Sequence, residues 1–257
     1  MKAKISALMI TKNCEETVKK SLESVSGWAS EIVVIDDNST DNTIKIVQNS
    51  KLKAQNYSLK LKVIQNKEKD LGRQRAYGLE KCTHNWVLVL DSDEVVTKEL
   101  KKEIVTLLNG YIAADGYLLP FQTYYLGRKL KYGGENYKKL VFFQKNKAVI
   151  KSGLVNERFI IPSGKVGTLK NKIHHYSYRS LSQMYRKFTD YAFRDAKDKV
   201  KIKEKTSLKK IFIYPLHMFW ARFIKDKGYK DGLFRIPLDL GFAYMEFLTY
   251  ISMLFIK

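Results

Sequence analysis

The residues with the most direct chemical potential are two aspartates two positions apart, Asp91 and Asp93. They close the run Trp86-Val87-Leu88-Val89-Leu90-Asp91-Ser92-Asp93-Glu94. Five consecutive apolar residues read as a strand buried on both faces, as in a parallel sheet. On extended backbone, residues i and i+2 point to one side, so two carboxylates would stand together at the strand's end. Such a pair calls for a cation. A hard divalent ion that takes oxygen ligands fits, with its remaining positions left to water or phosphate. The plainer alternative is an acidic pair capping a helix over residues 94–108.

The elements that must hold these residues are legible from periodicity. Ile5 to Ile10 is an apolar run with one serine, followed by Thr11-Lys12-Asn13. Residues 15–27 repeat Val18, Leu22 and Val25 at helical spacing and stop at Gly27. Ile32-Val33-Val34-Ile35 predicts a second buried strand ending in Asp36-Asp37-Asn38-Ser39-Thr40-Asp41, which offers the cap of a helix over about 41–50. Leu61 to Ile64 predicts a third strand, residues 70–82 a helix, and Asn85 to Leu90 the fourth strand. Strands alternating with helices indicate an open, mostly parallel α/β sheet, whose ligand crevice lies outside the strands' carboxyl ends. The polar clusters Thr11-Asn13, Asp36-Asp37 and Asp91-Asp93 all fall at those ends. No glycine-rich dinucleotide fingerprint or P-loop follows the first strand, so bound phosphates would be held by metal and basic side chains.

Beyond residue 115 the pattern changes. Gly116 to Phe121 and Leu140 to Phe143 predict strands, with Tyr124, Tyr125, Tyr132 and Tyr137 around Gly127, Gly133 and Gly134. Glycine turns among tyrosines suit stacking on sugar rings, or simple packing. Residues 180–200 are helical. Residues 197–210 carry seven lysines and read as a solvated helix end or linker. The tail holds Phe212, Phe219, Trp220 and Phe223, then an apolar run from Leu238 to Ile256. Asp239 and Glu246 inside that run are costly in a bilayer core, which favours an interfacial helix over a spanning one. A helical pair packed on the α/β domain or on a second subunit is the alternative.

The 257 residues are 45% hydrophobic and 28% charged, which excludes a disordered chain. Cys14 and Cys82 form no framework and read as two reduced thiols. Met1-Lys2-Ala3-Lys4 leads into a strand-like run, with the expectation that no secretory signal is present. Net charge is +21, unevenly spread: residues 158–257 hold 21 Lys/Arg against 8 Asp/Glu. Such a basic half expects an anionic partner, either nucleic acid or an anionic membrane surface, unless the lysines are simply solvated.

Taken together, Ile5-Ser6-Ala7-Leu8-Met9-Ile10-Thr11-Lys12-Asn13, Val34-Ile35-Asp36-Asp37-Asn38-Ser39-Thr40-Asp41-Asn42-Thr43 and Leu90-Asp91-Ser92-Asp93-Glu94 resemble the motifs of family-2 inverting glycosyltransferases of the GT-A fold. Within that family the chain is similar to bacterial lipopolysaccharide-core β-glucosyltransferases of the WaaE type. Val155-Asn156-Glu157, Ile173-His174-His175-Tyr176-Ser177-Tyr178-Arg179-Ser180 and Gly228-Tyr229-Lys230-Asp231-Gly232 carry that closer likeness. Asn156 departs from it, since relatives often have His before the Glu.

The resemblance implies a Rossmann-like, mostly parallel GT-A domain over residues 1–178 and a basic, helical, membrane-associating extension over 179–257. It implies transfer of a hexose, glucose foremost, from a UDP-sugar to a lipopolysaccharide- or lipooligosaccharide-core or other surface-glycan acceptor. Thr11, Asp36, Asp37, Arg73 and Asp91 would bind the nucleotide sugar, with Arg75 a second candidate for the diphosphate. Asp91, Asp93 and His174 would hold Mg²⁺ or Mn²⁺. Glu157 would be the general base, with Glu135 the next carboxylate to consider. The expected setting is the cytoplasm, peripheral on the inner face of the cytoplasmic membrane, with a homo-oligomer left open. A nucleic-acid-binding protein using the basic half is the competing class. The chain lacks zinc, RNP-type and helix-turn-helix signatures, and its lysines lie beside long apolar runs, so no nucleic-acid partner is expected. A sugar-nucleotide-binding fold without catalysis is the third reading; Asp91, Asp93 and Glu157 argue against it.

Overall fold

The computed structural model describes residues 4–49, 59–68, 70–151 and 158–256. Val155, Asn156 and the expected base Glu157 lie outside the described residues. The chain divides into two compact units, Met1–Phe121 with Lys138–His175, and Gln122–Tyr137 with Tyr176–Lys257. The boundary expected at residue 178 therefore falls at 175, and the tyrosine-and-glycine segment 122–137 belongs with the C-terminal helices.

The first unit begins with β1 (Ile5–Thr11), α1 (Val18–Ser26), β2 (Glu31–Asp36), α2 (Thr43–Asn49), β3 (Lys60–Gln65), α3 (Leu71–Lys81) and β4 (Trp86–Asp91). β1, β2 and β4 are almost wholly buried, as continuous apolar strands between two helical layers should be. The order β3-β2-β1-β4 is parallel throughout. Its register sets Thr11 opposite Asp36, Asp36 opposite Gln65, and Ile10 opposite Asp91. The three polar clusters thus end on neighbouring rungs of one sheet rim. Gly78 brings α3 close to that sheet: a Cβ there would stand 2.5 Å from a Leu8 methyl and 3.0 Å from Ile35. The helix that carries Arg75 can lie this low on β1 and β2 only without a side chain at 78.

The helix expected over 94–108 does not start at Glu94. Residues Glu94–Val96 form a short strand, β5, and α4 (Lys98–Asn109) begins after Thr97, whose side chain accepts from Leu100 N. β-Branched Val95 and Val96 favour the strand, and Thr97 is the better cap. β6 (Gly116–Tyr125) follows, then β7 (Arg128–Lys129) in the second unit, and β8 (Lys138–Gln144), antiparallel to both β4 and β6. β9 (Val149–Lys151) pairs with β10 (Arg158–Ile160), and β11 (Val166–Thr168) joins β6 in parallel. β12 (Ile173–Tyr178) pairs antiparallel with β5, setting His175 opposite Glu94 and His174 opposite Val95.

The second unit contains α5 (Leu181–Lys201), capped by Ser180, and α6 (Leu208–Trp220), capped by Ser207. A π-helical turn, Ala221–Lys225, and two 3-10 turns lead to α7 (Ile236–Ser252). Tyr125, Leu130, Met184, Phe188 and Leu238 form one core; Ala196, Ile211, Tyr250 and Met253 form another. Arg235 is fully buried. Its guanidinium donates to both Asp239 carboxylate oxygens (2.8 and 3.0 Å), to Asp231 (3.3 Å), and to the carbonyls of Tyr132 and Gly133. Arg222 pairs with Glu135 and, at 3.2 Å, with Asp239. Asp239 is therefore a buried ion-pair partner. Glu135, bound by Arg222 and 3.6 Å from Arg235, is committed to the same network. Gly133, at φ +66°, has no room for a Cβ against Arg235. Among the described residues no helix is long and apolar enough to cross a membrane.

Candidate active site

Two loops at the carboxyl ends of β1 and β2 are bonded together. The Thr11 hydroxyl donates to Asp36 Oδ1 at 2.9 Å, and Ser39 donates to Asp36 through both its backbone N–H (2.7 Å) and its hydroxyl (2.6 Å). Asn13 N donates to the Ser39 hydroxyl, and Thr40 N to Asn13 Oδ1. Asn13 and Asn38 both take left-handed backbone (φ 46° and 48°), which asparagine tolerates better than most residues. Thr11 and Asp36 are fully buried, so their side chains shape this rim by bonding to it. Asp37, the next residue, is the carboxylate that reaches outward. It is 15% exposed and pairs at 2.5 Å with Lys12. Asn66 and Gln74 extend the rim, Asn66 donating to Gln74 Oε1 at 2.6 Å.

The Asp91–Asp93 stretch is not one strand face. β4 ends at Asp91, and Ser92-Asp93 form a turn. Asp91 Oδ1 accepts from Arg75 at 2.7 Å, and its side chain is 34% exposed. Burial opposes its charge, but Arg75 and then Lys139 outweigh that and hold the carboxyl below its ordinary range. Asp93 Oδ1 lies 3.4 Å from His175 Nε2. Glu94 turns back under the loop. It is 2% exposed, accepts from Asp91 N at 3.0 Å, and stands 4.0 Å from Lys139 Nζ. Burial, then the charge of Asp91, push its pKa up.

At two places the contact with the rim acids is made by a neighbour of the expected residue. Arg73 is exposed on α3, and its backbone N–H serves the Asp70 cap. Residues two apart on a helix face away from each other, and Arg75 is the one that meets Asp91. His174 and His175 alternate across β12, so their rings leave opposite faces. His175, edge-on to Phe121 at 6.3 Å, is the one beside Asp93. The pair His174-His175 was visible in the sequence; which ring faces the acids depends on the pairing of β12 with β5, which no local signal encodes.

The donor set suits a shared ion more than a resident one. Among the described residues no group of three or more His, Cys, Asp or Glu side chains could hold a metal. An imidazole and a carboxylate this close could hold a divalent ion together with phosphate and water.

A profile of glycosyl transferase family 2 matches residues 6–166, more than half of the chain. A glycosyltransferase of Rickettsia typhi is 28% identical over 265 residues, covering 95% of this chain and 85% of that protein. The lipopolysaccharide core biosynthesis glycosyltransferase LpsC of Rhizobium meliloti is 25% identical over 257 residues, with 96% and 91% covered. The crystal structure of S. aureus TarS 1–349 in complex with UDP-GlcNAc superposes with a TM-score of 0.53 at 16% identity, covering 97% of this chain and 90% of that one. That likeness speaks for the fold, an α/β GT-A arrangement with a mostly parallel nucleotide-side sheet. The family match spans the rim carrying Asp37, Arg75, Asp91 and Asp93, and by it the chain belongs to glycosyl transferase family 2 and is a glycosyltransferase.

Proposed function

We propose that this glycosyltransferase moves a hexose, glucose foremost, from a UDP-sugar to a lipopolysaccharide- or lipooligosaccharide-core or other surface-glycan acceptor, with inversion at the anomeric carbon. The observation that carries the reading is the rim where Asp91 meets Arg75 and Asp93 meets His175, beside the outward-facing Asp37. The likenesses to LpsC and to UDP-GlcNAc-bound TarS support the acceptor class and the donor class.

In this reading Asp37, steadied by Lys12, accepts a hydrogen bond from the uracil ring. Thr11 and Asp36 keep that loop in shape from beneath. Arg75 holds Asp91 charged and aimed at the ribose side of the donor. Asp93 and His175 would hold a divalent ion, Mg²⁺ or Mn²⁺, shared with the donor. Such an ion supplies charge neutralisation to the departing UDP. Glu157 takes the proton of the acceptor hydroxyl as that oxygen bonds to the anomeric carbon. The bond from that carbon to the phosphate oxygen breaks on the opposite face, and UDP leaves with the electron pair. The setting proposed is the inner face of the cytoplasmic membrane, where a lipid-borne acceptor is presented to the basic C-terminal unit.

The test is calorimetry of UDP binding with and without Mn²⁺, on wild type, Asp93→Ala, His175→Ala and His174→Ala. Mn²⁺ should tighten binding to wild type and His174→Ala by more than tenfold and have little effect on the other two. Equal affinities in all eight titrations would sink the metal-bridged site.

A further inference from the structure

We infer that the outward face of α6 lies in the surface of an anionic phospholipid leaflet. This deepens the membrane setting proposed above and rests on that reading. Leu208, Phe212, Leu216, Trp220 and Ile224 fall four residues apart and form one row along α6 and its π-helical turn. Their exposures are 75, 58, 68, 48 and 46%, and Ile213 beside them is 51% exposed. An adjoining side, about 100° round the helix from Phe212 and Leu216, supplies Ile211 and Pro215 to the protein interior. A helix apolar on both of these sides belongs in a medium that accepts both, not at a protein–water boundary. The row from 208 to 220 runs about 18 Å, the length of an interfacial helix segment. Leu254 and Phe255, 56 and 80% exposed, directly follow Met253, which packs with Ile211 near the start of α6.

Charge identifies the occupant. From residue 205 to 225 the chain has five cations, Lys205, Lys209, Lys210, Arg222 and Lys225, and no Asp or Glu. Arg222 and Lys210 are engaged within the unit, by Glu135 and Asp239 and by Glu204. Lys205, Lys209 and Lys225 are exposed. A second copy of this chain docked on the same face across a twofold would set lysine near lysine, with Asp226 the one exposed acid bordering the row. An anionic leaflet meets apolar side chains and lysines together, the lysine stems lying along the apolar row with their ammonium groups among the phosphates. Trp220 adds a ring of the kind enriched at that depth.

The test is flotation of the full chain with phosphatidylcholine vesicles, with or without one-third phosphatidylglycerol, at low and high salt. Wild type should float with the anionic vesicles at low salt and lose at least tenfold in affinity on neutral vesicles or at high salt. Phe212→Ser/Leu216→Ser and Lys205→Glu/Lys209→Glu should each lose at least tenfold on anionic vesicles while keeping the wild-type melting temperature and UDP affinity. Wild type remaining unbound at low salt overturns the inference. So does undiminished flotation of Phe212→Ser/Leu216→Ser, or a wild-type dimer that this variant turns into a monomer. Flotation involves no donor or acceptor, so failed hexose transfer with intact flotation strikes the proposed activity alone.

Discussion

Arginine–carboxylate pairing does two different jobs in this protein. On the rim, Arg75 meets Asp91 and His175 meets Asp93, with side chains 13–34% exposed. In the C-terminal unit, Arg222 and Arg235 meet Glu135, Asp231 and Asp239, with side chains 0–14% exposed. Every Arg235 nitrogen donates, to carboxylates or to the Tyr132 and Gly133 carbonyls. The first constellation is partly open to solvent; the second is closed over. The same chemistry is the proposed site in one place and a fastener in the other, and the observed difference is how far each is buried. Substitutions should therefore separate cleanly: rim and base residues should cost turnover without melting temperature, and network residues the reverse.

The largest effect expected is at the proposed base. Glu157→Gln should lower turnover by about 10²–10⁴-fold, the usual size of general-base catalysis, with UDP-sugar affinity and melting temperature unchanged. Steady-state kinetics with a core-oligosaccharide acceptor, alongside calorimetry, reads both. A loss under about threefold removes Glu157 from the role. Glu135→Gln is the matched control. Its carboxylate is held by Arg222 within the closed network, so its substitution should appear in stability before it appears in turnover.

Next in size is the closed network itself. Arg235→Met leaves Asp239 and Asp231 buried without their main cation, a change that costs about 3–5 kcal/mol in comparable cases. Denaturant unfolding of the full chain should show that loss, and Arg235→Met/Asp239→Leu should recover part of it, because no buried anion at 239 is then stranded. Arg235→Met with wild-type stability would show the network to be dispensable and erase the contrast drawn above.

The contrast also explains what sequence could and could not disclose. The rim was legible because each of its parts is local: an apolar strand, then a polar or acidic cluster, three times over, with the parallel sheet bringing the ends together. Asp37, Asp91 and Asp93 needed no distant partner to be noticed. The choice of Arg75 over Arg73 was open to helix geometry, since only one of two residues 200° apart can face the sheet. The choice of His175 over His174 was not, because it follows from a strand pairing between residues 94–96 and 173–175. The same pairing converted the expected start of a helix at Glu94 into a strand. The closed network was invisible for the same reason: its members sit at 135, 222, 231, 235 and 239, and no periodicity links the first to the rest. Asp239 could be read only as an acid in an apolar run, and Glu135 as a spare carboxylate. On α6 the composition announced an apolar, basic helix, but only the packing of Ile211 and Pro215 shows which side is left outside.

The smallest effect expected tests the C-terminal unit away from its network. Glu246 is half-buried on α7, and burial raises its pKa more than Lys199 lowers it, with Asp195 and Glu204 adding to the rise. A carboxyl whose folded pKa is above its unfolded value binds its proton more tightly in the native state. Its contribution to stability is then present below the unfolded pKa, and it is lost as pH rises through the folded pKa. Near neutral pH the ionised Glu246 therefore works against folding. Glu246→Gln removes that penalty and should raise stability at pH 7 by about 0.5 kcal/mol, a small gain because the site is partly solvated. The gain should vanish below about pH 4, where the wild-type carboxyl is protonated in both states. Paired melting curves at pH 7 and pH 4 give the answer. A variant less stable than wild type at pH 7 would mean that Glu246 ionised earns its place by pairing with Lys199. The C-terminal unit would then have a second charge cluster of the closed kind, where burial alone marks it as a cost.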